Sequence, residues 1–88
     1  MSLHLLCQLT TSDPDTAMKA LEADSEDQRN AGLTRLQTWR EDGASALWAL
    51  FEVNDRKKAE DWLTRARADT HGRPAGVTAS TAHFLRTA

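Results

Sequence analysis

At 88 residues the chain has room for one hydrophobic core, so it is read as a single domain spanning residues 1–88. With 40% hydrophobic and 27% charged residues it falls outside the compositions of disordered chains. A net charge of -2 without a clustered basic face argues against a nucleic-acid partner, and a single cysteine, Cys7, excludes an internal disulfide framework.

The opening MSLHLLCQLTTSD lacks the basic start of a signal peptide, and His4 and Gln8 break its apolar run. No run approaches the ~20 apolar residues that cross a bilayer, so no membrane partner and a cytoplasmic location are the expectations. Residues 3–10 alternate with period two: Leu3, Leu5, Cys7 and Leu9 on one face, His4, Leu6, Gln8 and Thr10 on the other. This predicts a strand with one dry and one mixed face. In SDPD, Ser12 or Asp13 can cap a helix and Pro14 suits its first turn. One helix is predicted over Asp15–Ala31, with Ala17, Met18, Leu21 and Ser25 at helical spacing and Gly32 as its stop.

LTRLQTWR, residues 33–40, predicts a second strand, and EDGAS a turn around Gly43. A third strand over residues 46–53 places Leu47, Ala49, Phe51 and Val53 on one face and Ala46, Trp48, Leu50 and Glu52 on the other. Asn54 or Asp55 caps a helix over residues 56–68 that buries Ala59, Trp62, Leu63 and Ala66. THGRPAG is a loop with His71 exposed, and residues 77–87 form the last strand.

The order strand–helix–strand, strand–helix–strand predicts an α+β, ferredoxin-like βαββαβ sandwich. Its antiparallel sheet has the strand order 4-1-3-2, with two helices on one face. The face away from the helices then carries His4, Leu6, Gln8, Trp48, Leu50 and Glu52. On the second strand Leu36 is placed beneath the helices, leaving Arg35, Gln37 and Trp39 outward. If Phe84 faces the helices, His83 and Leu85 join the outer face. Such an apolar patch calls for a cover, and the simplest is a second copy of the same sheet.

The strand–helix–strand repeat, the LWALFEVND passage and the closing AHFLRT strand resemble the dimeric α+β barrel superfamily. Antibiotic-biosynthesis-monooxygenase-like and muconolactone-isomerase-like proteins and many small bacterial proteins belong to it. The resemblance implies a homodimer closed through the sheet face opposite the helices, with a pocket for a small molecule. It carries over no reaction, because one fold hosts many chemistries.

Glu52 has two readings: a general base beside Trp48 and Gln8, or a strand-end carboxylate bonded to a neighbour or water; the second has the greater weight. His4 and His83 sit on strands expected to be adjacent and could move a substrate proton with Glu52, or serve the dimer interface. Their spacing matches no local metal motif, so no metal is expected. Trp39, Trp48, Leu50 and Gln8 are the candidate substrate-binding residues, with an interface role weighed above a ligand role for the tryptophans. Arg35 and Arg40 could hold an anion near Trp39 or pair with Glu41 and Asp42. Trp62 and Cys7 read as core. No phosphate loop, nucleophile elbow or C-x-x-C occurs, so no cofactor is expected.

Two functional readings follow. The first is a homodimer that binds a small apolar or aromatic molecule. The second, implied by the resemblance, is a cofactor-independent monooxygenase or isomerase acting on an aromatic or polycyclic substrate. A subunit of a larger assembly, docking through an edge strand, is a third class.

Overall fold

The structure, a computed structural model, describes residues 2–70 and 77–88. Its elements run β1 (Leu3–Thr11), α1 (Pro14–Ala23), α2 (Ser25–Asn30), β2 (Leu33–Arg40), β3 (Ala46–Val53), α3 (Arg56–Thr70) and β4 (Val77–Arg86). All strand pairs are antiparallel in the order β2-β3-β1-β4, which counted from the other edge reads 4-1-3-2. The loop expected at THGRPAG, with His71, lies outside the described residues.

The predicted helix over residues 15–31 is two helices, which makes three among the described residues. The break is at Asp24, whose backbone has turned to φ -88° and ψ 8°. Ser25 Oγ donates to the Glu22 carbonyl at 2.5 Å, a local bond that competes with the helical ladder. Asp24 is also held from outside: Trp62 Nε1 donates to its Oδ2 at 3.0 Å, fastening α3 to the α1–α2 corner. Gln28, 2% exposed, donates from Nε2 to the Leu21 carbonyl at 2.9 Å and ties the two short helices together. Gly32, at φ +75°, turns the chain out of α2. A side chain there would also meet the Asp55 backbone nitrogen at 3.2 Å.

Asp13 starts α1. Its Oδ1 accepts from the Thr16 backbone N–H at 3.2 Å and its Oδ2 from the Thr16 hydroxyl at 2.6 Å. The hydroxyl and then the backbone N–H of Thr16 hold the Asp13 carboxyl below its ordinary value of 3.8. A depressed carboxylate stabilises the fold above the unfolded value and loses that contribution as pH falls through the folded one. Asp13→Ala is therefore expected to lower the urea midpoint at neutral pH, with the gap to the native protein closing below about pH 4. A gap independent of pH between about 2 and 7 would show that the charge of this cap does not matter.

The core lies between the helices and one sheet face. Alternation along β1 and β3 delivers Leu5, Cys7, Ala49, Phe51 and Val53 to that face, where they meet Ala31, Leu33, Ala59 and Trp62. Phe51 and Trp62 pack edge to face, 5.9 Å between centroids at 63°. A satellite of Ala17 and Leu47, flanked by Leu9 and Met18, seats α1 over β3. Phe84 packs against the main core, with the Arg56 guanidinium 4.5 Å above its ring, so the fourth strand turns Phe84 toward the helices. Among the described residues, no helix is long and apolar enough to cross a membrane.

The second strand departs from the expectation. Leu33 pairs with Val53 and Arg35 with Phe51, yet Gln37 pairs with Leu50 because the register slips at Leu36. This bulge reverses the phase of the strand. Arg35 lies on the helix side opposite buried Phe51, and Leu36, expected beneath the helices, is 48% exposed. Gln37 and Trp39 remain outward, with Trp39 opposite Trp48.

Candidate functional site

The candidate site is the sheet face that the helices leave open. Three registers place its residues in rows running from β4 through β1 and β3 to β2. The first row is Leu85, His4, Glu52 and Thr34; the second is His83, Leu6, Leu50 and Gln37; the third is Thr81, Gln8, Trp48 and Trp39. All seven residues singled out from the sequence thus lie on one face. Side chains directly opposite on neighbouring antiparallel strands have Cβ atoms ~4.5–5.5 Å apart, so each row is in lateral contact.

His4, Glu52 and His83 share the face without converging. His4 is directly opposite Glu52, but His83 is opposite Leu6, one row away. His83 and Glu52 are separated by the whole width of β1, about 10 Å across two strand spacings. No ion pair joins His4 to Glu52 among the described residues, and no three His, Cys, Asp or Glu there form a group able to hold a metal. What the arrangement offers is one carboxylate beside one imidazole at the edge of an apolar floor. Glu52 is exposed and His4 half-buried.

The apolar floor is continuous. Leu6, Trp48 and Leu50 are half-buried at its centre, while Trp39 is 43% and Leu85 45% exposed at its two sides. Exposed aromatic and aliphatic side chains in contact differ in meaning from the same residues scattered singly.

The polar anchor of this floor is Glu41, for which the sequence suggests only a pairing with Arg35 or Arg40 as one alternative. Its Oε1 accepts from Trp48 Nε1 at 2.7 Å and from Gln8 Nε2 at 3.5 Å. One carboxylate oxygen therefore orients two of the candidate binding residues. The β2–β3 hairpin positions it: the Glu41 backbone N–H donates to the Ala46 carbonyl at 3.0 Å, and Gly43 makes the turn at φ +78°. A signal for it existed in the sequence, since Gln37, Trp39 and Glu41 keep one alternation and a hairpin must bring Glu41 near Trp48. Arg40 lies on the helix side and pairs with Asp15 of α1 instead of Glu41 or Asp42. Neither Arg35 nor Arg40 thus stands beside Trp39 on the open face.

Comparison with known proteins bears on the family and the fold. The family described as a domain of unknown function, DUF3303, matches residues 1–68, from β1 into α3. The crystal structure of PA3566 from Pseudomonas aeruginosa is similar, with a TM-score of 0.69 over 99% of this chain and 95% of that one. At 15% sequence identity this likeness speaks to the fold alone. No curated protein matches the chain significantly.

Proposed function

The chain belongs to the DUF3303 family, a domain of unknown function, and from that premise we propose that it works as a ferredoxin-like homodimer closed through its open sheet face. Two copies packed sheet to sheet make a dimeric α+β barrel, and a small apolar or aromatic molecule is held between the sheets. The observation that carries this reading is the run of Leu6, Trp48 and Leu50 flanked by Trp39, Leu36 and Leu85, which the chain's own helices leave uncovered. A two-fold axis through that face lets each copy cover the other with the same residues. The lone Cys7, buried in the core, suits a cytoplasmic setting.

A second reading has one observation in its favour, the direct pairing of His4 with Glu52 at the rim of the apolar floor. In a cofactor-independent monooxygenase or isomerase these two, or His83 one row away, would move the proton of a substrate lying on Trp39, Trp48 and Leu50 and oriented by Gln8. The binding reading needs only the floor; the catalytic one needs the rim as well.

Native mass spectrometry of the protein as purified tests the proposal. The expected result is twice the chain mass, with an added small-molecule mass when the site is filled. A bare dimer would keep the interface and remove the ligand from the reading. A monomer at micromolar concentration would overturn the proposal at its first step.

A further inference from the structure

A second feature lies at the β2 edge of the sheet, toward the helices. Between α2 and the edge strand β2 is a cleft of about 310 Å³, lined by Ser25, Gln28, Arg29, Leu33, Thr34 and Arg35. Among the described residues that line it, the charged groups are two arginines, one on each wall, and none is a carboxylate. The ion pairs among the described residues join other groups, Arg40 with Asp15 and Arg56 with Glu60. Arg35 as a whole is half-buried, but its Nη1 is shielded from solvent and has no hydrogen-bond partner among the described residues.

That last fact is chemically demanding. A buried lysine or carboxyl can shed its charge by a shift in pKa, but arginine stays protonated under any condition in which the protein folds. The Nη1 end of its guanidinium is therefore left without an acceptor, and an unmatched charged donor away from water is costly. The Leu36 bulge is what turns Arg35 to this side, and bulges recur beside functional sites because they re-aim one side chain. The planar fork of arginine matches carboxylate and phosphate oxygens two at a time. The cleft volume falls near the lower end of the ~300–1,000 Å³ found for small-molecule sites, so the fit is to a small metabolite and not a polymer.

We infer that the α2–β2 cleft is a binding site for a small organic anion, whose carboxylate or phosphate group is held by Arg35 from the sheet and Arg29 from the helix. The site is on the helix side of the sheet and does not depend on the dimer, so either can fail alone.

The test is an NMR titration of amide shifts with inorganic phosphate and, separately, with acetate, at constant ionic strength set by chloride. Saturable shifts centred on residues 25–29 and 33–35 are expected for at least one of the two, and their relative strength tells a phosphate site from a carboxylate site. Arg35→Met should abolish the response. Arg29→Gln, at an exposed position that leaves the fold alone, should weaken binding by about tenfold or more, as loss of a charge-assisted hydrogen bond does. The amide spectrum of each variant reports its folding directly, and if Arg35→Met does not fold, Arg29→Gln decides. Shifts that do not saturate, that chloride reproduces, or that survive in the folded variants would overturn the assignment.

Discussion

Phe51→Ala is expected to lower the unfolding free energy by about 3–5 kcal/mol, the range for truncating a fully buried phenylalanine. Phe51 is 0% exposed at the centre of β3, between β1 and β2, and its ring meets Trp62 of α3 edge to face. Its loss opens a cavity where sheet and helix layers touch. Strands on both sides hold the backbone in place, so the site has little freedom to collapse. An 88-residue domain at ~0.05–0.15 kcal/mol per residue has only about 4–13 kcal/mol in total. The variant is therefore expected to be largely unfolded or to melt well below the native protein. Leu36→Ala is the matched control: a large apolar residue on the next strand, but 48% exposed, for which a change within about 0.5 kcal/mol is expected in the monomer. Urea titrations at one fixed protein concentration compare the two. A loss below about 1.5 kcal/mol for Phe51→Ala would show that this core is looser than its burial indicates.

Trp48→Ala is expected to weaken the proposed dimer by about 2–4 kcal/mol, or roughly 30- to 1,000-fold in dissociation constant, as central aromatic anchors do. Trp48 stands on an inner strand of the open face, beside Gln8 and Trp39 in its row, and its indole is fixed by Glu41 at 2.7 Å. Truncation removes the largest piece of the floor and leaves Glu41 without its best donor. Trp48→Phe separates these effects, since it keeps a ring and loses the hydrogen bond. Trp39→Ala, at a more exposed position, gives a second variant with less risk to the fold. Sedimentation velocity over a concentration series reads the association, with circular dichroism confirming the fold. An unchanged association constant in both alanine variants would place any interface elsewhere. Glu52→Gln sets apart the catalytic reading: it should leave the dimer intact and abolish turnover if Glu52 is the base, and alter neither if it is an exposed strand-end carboxylate.

Much of the open face was legible because the signal is local. A side chain's face within one strand follows from a period of two, so Leu5, Cys7, Ala49 and Phe51 fall on one side and Gln8, Trp48, Leu50 and Glu52 on the other whatever the rest of the chain does. The same holds for Trp62, which helical spacing alone assigns to the core. For β4 the choice of Phe84 settles His83 and Leu85 together, because they alternate.

The remainder was decided by residues far apart in the chain. Local alternation in LTRLQTWR accommodates Leu36 inward or Arg35 inward equally well. Only pairing with β3, where Leu33 must meet Val53 and Trp39 must meet Trp48, forces an extra residue into the edge strand and sends Arg35 to the helix side. Residues 15–31 have a helical composition throughout, but Asp24 is engaged by Trp62, 38 positions away, and the helix breaks there. Glu41 and Arg40 are neighbours of opposite charge that a linear reading pairs with each other's surroundings. In the folded chain they point to opposite faces of the sheet, one to Trp48 and the other to Asp15. The phases of β1, β3 and α3 and the succession of strands were readable in the residues alone, because these depend on periods of two and 3.6 residues. The tertiary structure decided the registers between elements, and with them the two arginines of the α2–β2 cleft and the carboxylate that orients Trp48, because a polar side chain takes whichever partner the neighbouring element brings within reach.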